Sequence, residues 1–211
     1  MLTAIIDYSS GNLHSARKAF EKISASNNLG SVVVTSNPDV ISSADRLVLP
    51  GDGAFPACKT ELLSSEAYDA MVYAAVEKGR PFLGICVGMQ LMAIKGYEYE
   101  ETDGLGWIDG EVCKIDPTDE NLKIPHMGWN TLNIENDHPI LKGILNGDHV
   151  YFVHSFQMVV SNRKQRLAYT DYGTDITAVV GNENLLGFQF HPEKSAKIGL
   201  KMIENFLSWS P

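Results

Sequence analysis

Cys86 lies between two glycines in Gly84-Ile85-Cys86-Val87-Gly88-Met89-Gln90, after an apolar run over 81–85 and before a stretch of good helix formers. A glycine-x-nucleophile-x-glycine pattern joining a strand to a helix makes a sharp turn that lifts one reactive side chain. Only glycine leaves the room such a bend requires. The unpaired N–H groups and dipole of a following helix favour the thiolate, the nucleophilic form of cysteine. The competing reading is a buried structural cysteine, since free cysteine is among the most buried residue types. A nucleophile needs a base, and a candidate stands far along the chain in Gly187-Phe188-Gln189-Phe190-His191-Pro192-Glu193-Lys194. If the backbone stays extended through Pro192, His191 and Glu193 project to the same side. A histidine that takes a thiol proton works best with its other nitrogen held by a carboxylate, which fixes the tautomer and stabilises the imidazolium. Cys86, His191 and Glu193 therefore supply nucleophile, base and orienter.

A third part is Pro50-Gly51-Asp52-Gly53, which follows the apolar run 46–49. A glycine loop at a strand end can aim backbone N–H groups at one point. Attack on an amide creates an oxyanion that needs such donors, and one lost donor costs ~3 kcal/mol of barrier. Alone, such a loop is an ordinary turn. Its meaning comes from the pairing with Cys86.

These parts need a scaffold. Residues 3–7, 32–35, 46–49 and 81–85 read as strands. Leu13, Ala16, Phe20 and Ile23 recur at helical spacing, and residues 66–78 read as a helix with Met71, Val72, Ala75 and Val76 inward. Helical character continues over 89–93. Strands alternating with helices predict a parallel sheet covered on both faces, with functional residues at the carboxyl ends of its strands. After residue 93 the pattern changes to short β-like pieces at 104–115, 131–134, 149–153 and 167–169. A hairpin is expected from 174–180 and 185–190, turning at 181–184. Ser195 can cap a last helix whose Ile198, Met202, Ile203 and Phe206 face inward. No repeat or linker interrupts the chain, so residues 1–211 read as one α/β domain.

With 211 residues, 44% of them hydrophobic, the chain is long enough for a sizeable core. No run of eighteen apolar residues suggests a membrane span, and no basic leader precedes the first strand. The net charge of −9, with Lys and Arg scattered, argues against a nucleic-acid surface. Three dispersed cysteines form no disulfide framework and suggest a reducing cytoplasm. The histidines lack metal-ligand spacing, so neither metal nor cofactor is expected.

The elbow around Cys86 together with Phe190-His191-Pro192-Glu193-Lys194 resembles the class I, triad-type glutamine amidotransferases, whose flavodoxin-like fold has a mostly parallel sheet flanked by helices, with added antiparallel strands in the C-terminal half. Further segments resemble one branch of that family, the glutaminase subunits of imidazole glycerol phosphate synthases. These are Ser10-Gly11-Asn12, Leu49-Pro50-Gly51, Pro125-His126-Met127-Gly128-Trp129-Asn130 and Tyr151-Phe152-Val153-His154-Ser155. The resemblance implies that Cys86 attacks the side-chain amide of L-glutamine, with His191 moving the protons. It implies an oxyanion hole from backbone at Gly51, Asp52, Gly53 and Val87, and substrate contacts at Gly53, Gln90, Ser155 and Phe156. It further implies an obligate heterodimer partner, a TIM-barrel cyclase subunit, with Asn12, Pro125, His126, Met127, Gly128, Trp129, Asn130 and Lys194 at the partner interface or along the ammonia route.

Two positions depart from the family pattern. Ser9 stands where glycine is usual. Asp52 stands where an aliphatic residue is usual, and a carboxylate aimed inward would oppose a developing anion, so its side chain is expected to turn away. Other readings are a glutaminase serving a different acceptor, such as a sugar-amidinating paralogue or anthranilate synthase, and a non-catalytic glutamine sensor or scaffold. A cysteine peptidase of related fold lacks any feature for an extended peptide.

Overall fold

Strands buried on both faces must be apolar throughout, and the two most continuous apolar runs beside the candidate nucleophile become the middle of the sheet. The structure, a computed structural model, describes residues 1–119 and 121–211. Its first half alternates β1 (Leu2–Ile6), α1 (Leu13–Asn27), β2 (Ser31–Thr35), α2 (Pro38–Ser43), β3 (Arg46–Gly51), α3 (Phe55–Ser64), α4 (Ala67–Val72), β4 (Phe82–Cys86) and α5 (Val87–Gln90). The second half is mainly strands: β5 (Lys95–Gly96), β6 (Thr102–Asp103), β7 (Gly110–Lys114), β8 (His126–Thr131), β9 (Asn133–Ile134), β10 (His149–His154), β11 (Phe156–Val160), β12 (Arg166–Asp171), β13 (Asp175–Asn182) and β14 (Leu185–Phe188). Helix α6 (Ala196–Ser208) follows.

The main sheet has the order β2-β1-β3-β4-β14-β13-β12-β9. Strands β2 through β14 in that order run parallel, and the remaining pairs are antiparallel. Every residue of β3 and β4 is buried. Two smaller sheets, β10-β8 and β11-β7-β5-β6, complete the C-terminal half. The β13–β14 hairpin forms as expected, with Asn182 opposite Leu185. Parallel register sets Gly51 opposite Cys86 and Gly187 opposite Gly84, so the carboxyl ends of β3, β4 and β14 converge.

Several local expectations are corrected. The helix expected over 66–78 ends at Val72 and continues as a π-helical turn, Tyr73–Glu77. The wider turn shifts the helical phase, so Ala74 is buried and Val76 is 53% exposed. The helix expected over 89–93 is the single turn α5, after which Met92 and Ala93 N–H groups bond only three residues back. Helices α2 and α3 lacked a strong apolar stripe in sequence. Asn37 caps α2 by accepting from Asp39 and Val40 N–H. Ser195 does not cap α6 with its side chain. Its Oγ donates to His191 O at 2.6 Å and accepts from Tyr151 N–H at 2.9 Å, stitching the histidine segment to β10.

Candidate active site

Cys86 closes β4 with φ 55° and ψ −113°, in a region that costs any residue with a Cβ. The neighbouring backbone holds it there. A Cβ on Gly88 would lie 1.8 Å from Leu49 O, and one on Gly84 would lie 2.5 Å from Gly88 O. The glycines therefore serve close backbone approach, and the strained φ falls on the cysteine itself. Helix α5 is too short to carry a full macrodipole, so the electrostatic support for Cys86 must come from elsewhere.

It comes from His191. Strand β14 ends at Phe188, and the chain bends rather than staying extended; Pro192–Lys194 is a 3-10 turn. His191 and Glu193 thus meet by folding over one turn, with Nδ1 2.8 Å from Oε1. Their side chains are 8% and 3% exposed. Burial opposes the imidazolium, but the attraction of the neighbouring Cys86 sulfur and the hydrogen bond and charge of Glu193 outweigh it and push His191 up to about 10. Since Nδ1 is taken by Glu193, Nε2 is the nitrogen left for the sulfur.

Beside Cys86 is a cavity of about 150 Å³, lined by Asp52, Gly53, Val87, Gln90, Glu98 and residues 153–156. It is smaller than the ~300–1,000 Å³ of drug-sized sites and suits a ligand of amino-acid size. Gly53, Val87, Gln90, Ser155 and Phe156 of the expected set all reach it. Gln90 Nε2 donates to Phe156 O at 2.9 Å and to Gln189 Oε1 at 3.1 Å. Of the expected oxyanion donors, Asp52 N–H does not point into the cavity. It faces Ser10 Oγ at 3.4 Å, and the same hydroxyl donates to Asp52 O at 2.8 Å. Asp52 itself is exposed.

Three residues near the cavity were not singled out from sequence. Glu98 lines it and accepts from Phe55 N–H at 2.8 Å; it sits in the acidic run 98–101, which carries no motif. His154 forms part of the wall. Gln189, fully buried, places Nε2 3.9 Å from Cys86 Sγ. Its signal was an amide between two core phenylalanines.

The expected docking residues divide. Met127 and Trp129 are 65% and 52% exposed, and Asn12, Pro125 and Lys194 are exposed as well. Gly128 and Asn130 are half-buried. His126, at 2% exposure, turns inward and adds nothing to the exposed docking face. Alternation along β8 is the reason, because Met127 and Trp129 take the outer side.

A profile of the family described as "Glutamine amidotransferase class-I" matches residues 4–209. The chain belongs to the class-I glutamine amidotransferases. This amidotransferase is 63% identical to the "Imidazole glycerol phosphate synthase subunit HisH" of Ruegeria pomeroyi, across all of both chains. The proteins of the same name from Cereibacter sphaeroides and Rhodopseudomonas palustris are 55% and 52% identical, also over their whole length. Among solved structures, one described as a glutamine amidotransferase superposes with TM-score 0.70 at 18% identity, covering 96% of this chain and 98% of that one. A glutamine amidotransferase from Thermotoga maritima gives TM-score 0.62 at 17% identity, covering 97% and 81%. The amidotransferase has a larger cavity of about 520 Å³, lined by Arg46, Pro81 and Trp209 among others. That cavity lies at the amino ends of β3 and β4, away from the chemistry. Among the described residues no group of three His, Cys, Asp or Glu side chains is arranged to hold a metal ion, and no helix is long and apolar enough to cross a membrane.

Proposed function

We propose that this chain is the glutaminase subunit of an imidazole glycerol phosphate synthase. It hydrolyses L-glutamine to glutamate and ammonia, and the ammonia passes to a TIM-barrel cyclase subunit. The observation that carries the reading is the convergence of Cys86, His191 and Glu193 at one rim of the sheet, beside a cavity of amino-acid size. The substrate's ammonium would face the Glu98 carboxylate, and its backbone groups would meet Gln90 and the Ser155–Phe156 segment. The Cys86 thiolate attacks the side-chain amide carbon, and the oxyanion is received by backbone N–H groups at Val87 and Gly53, which line the cavity. The C–N bond then breaks as the His191 imidazolium donates a proton to the departing ammonia. His191, now neutral, takes a proton from water, which attacks the thioester; glutamate leaves and the thiolate is restored.

Free ammonia at neutral pH is largely ammonium, which is no nucleophile, so passing it directly to a docked acceptor enzyme keeps it reactive. The exposed Met127 and Trp129, with Asn12, Pro125 and Lys194, form the surface we assign to it. Three free cysteines fit a reducing cytoplasm. Glutamine hydrolysis measured with and without the barrel subunit, for wild type and Cys86→Ala, tests the assignment. Turnover that the barrel stimulates and the substitution abolishes is expected. Stimulation by a different synthase would redirect the acceptor, and turnover that survives Cys86→Ala would overturn the chemistry.

A further inference from the structure

His126 and His154 stand directly opposite each other in the β8–β10 pair, and His126 Nδ1 lies 3.0 Å from His154 Nε2. Both are buried, and neither belongs to the Cys86–His191–Glu193 set. Their outer partners decide where each proton sits. A carbonyl oxygen only accepts, so His154 Nδ1, 2.8 Å from Phe156 O, carries a hydrogen. In a neutral ring Nε2 of His154 is then an acceptor, and His126 Nδ1 must donate to it. That leaves His126 Nε2 to accept from Asn130 Nδ2 at 3.2 Å. The Asn130 amide is itself fixed by a second bond to Asp171 O at 2.9 Å. One assignment satisfies the whole series.

The series continues into the cavity. The Phe156 carbonyl that His154 holds also accepts from Gln90, whose amide donates in turn to Gln189. The His126 ring stacks on Phe152, centroids 4.7 Å apart, and lies tilted against Tyr172, 4.0 Å apart, so it has little freedom to turn. Burial keeps both rings neutral, pushing His126 down to about 4 and His154 down to about 3, the latter against the opposing pull of Phe156 O. Rigid stacking at one end and a directional bond series at the other let strand β8 dictate the position of the substrate wall.

We propose that His126 and His154 are positioning residues for glutamine, acting as a neutral pair that holds the Phe156 carbonyl, and through it the Gln90 amide, in register with the strand bearing Met127 and Trp129. The inference rests on the glutaminase reading above. His126→Phe keeps a flat ring against Phe152 and Tyr172 but removes the N–H that fixes His154. His126→Asn restores a donor at the place of Nδ1.

The test assays glutamine hydrolysis by the full chain bound to its barrel subunit, for wild type and both variants, alongside nitrogen-15 NMR of labelled histidines in the wild-type chain. His126→Phe is expected to raise KM for glutamine about tenfold with kcat within about threefold, the scale of one lost buried hydrogen bond, and His126→Asn to recover most of it. The spectra are expected to show both rings neutral and protonated at Nδ1 at pH 7. An unchanged KM in a folded His126→Phe, or a ring protonated at Nε2, would overturn the inference. Absence of wild-type turnover would instead sink the glutaminase reading, while the spectra would still decide the pairing.

Discussion

Glu193 Oε1 lies 2.8 Å from His191 Nδ1 across a single 3-10 turn, and both side chains are almost sealed from solvent. Orientation of the candidate base is therefore a local property of four residues, whereas its meeting with Cys86 depends on β14 lying beside β4. Ser195 secures the turn from behind by accepting from β10 and donating to His191 O.

His191 is expected to be charged at neutral pH. Burial disfavours that charge, yet the attraction of the Cys86 sulfur and the bond and charge of Glu193 raise its pKa from the ordinary 6.5 to about 10. A raised folded-state value stabilises the fold fully below about 6.5, and the contribution is lost as pH rises through about 10. In an NMR titration of the imidazole, Cys86→Ala and Glu193→Gln should each lower the midpoint. Glu193→Gln should also cut glutamine turnover by about 10²-fold or more through loss of the oriented base. An unmoved midpoint in both variants would contradict the assigned ion pair.

The acid side belongs to a different pair. His126 and His154 are depressed to about 4 and about 3 by burial, so between pH 6.5 and 4 only the unfolded chain takes up their protons. Their contribution is present above about 6.5 and falls as pH drops, at ~1.4 kcal/mol per pH unit per group where the linkage is complete. Urea unfolding midpoints at pH 7 and 4.5 should show this loss, and His126→Asn should flatten the difference.

Backbone crowding at the elbow makes Gly88→Ala severe. The new methyl would sit 1.8 Å from Leu49 O, where neither backbone can yield cheaply. A loss of ~3 kcal/mol or more, or failure to accumulate as soluble protein, is expected. Gly106→Ala is the control: its φ of 69° strains an alanine, but no atom lies within 4 Å, so the cost should stay near ~1 kcal/mol. Thermal melts of the two variants distinguish crowding from conformational strain.

Ser10 engages both ends of the Asp52 residue in the expected oxyanion loop. Ser10→Ala releases that peptide, whose N–H can then turn toward the cavity. Glutamine hydrolysis by the chain without its barrel subunit should rise several-fold, because the barrier is lowered when a further donor reaches the oxyanion. Basal turnover equal to wild type in a folded variant would show that the Asp52 N–H is not a donor held in reserve.

Much of the site was legible one segment at a time. Glycines at 84 and 88 announce a bend, and a His-Pro-Glu sequence announces an oriented imidazole, because covalent geometry and short-range sterics act within a few residues. The His191–Glu193 contact nonetheless forms by a different route from the one expected, since a 3-10 turn replaces the extended backbone. Glu98 and Gln189 escaped notice because a carboxylate in an acidic run, or an amide between phenylalanines, acquires meaning only from what another strand sets beside it.

The amino-acid sequence by itself determined the α/β alternation, the elbow, the separate pieces of the candidate triad and the family, all written in local periodicity and residue type. Only the tertiary structure decided that His126 faces inward to His154, that Asp52 N–H is held by Ser10, and that Gln90, Gln189 and Cys86 form one connected group. Those outcomes depend on strand register and on which buried donor finds which acceptor. Contacts of that kind join residues distant in the chain, and no local pattern encodes them.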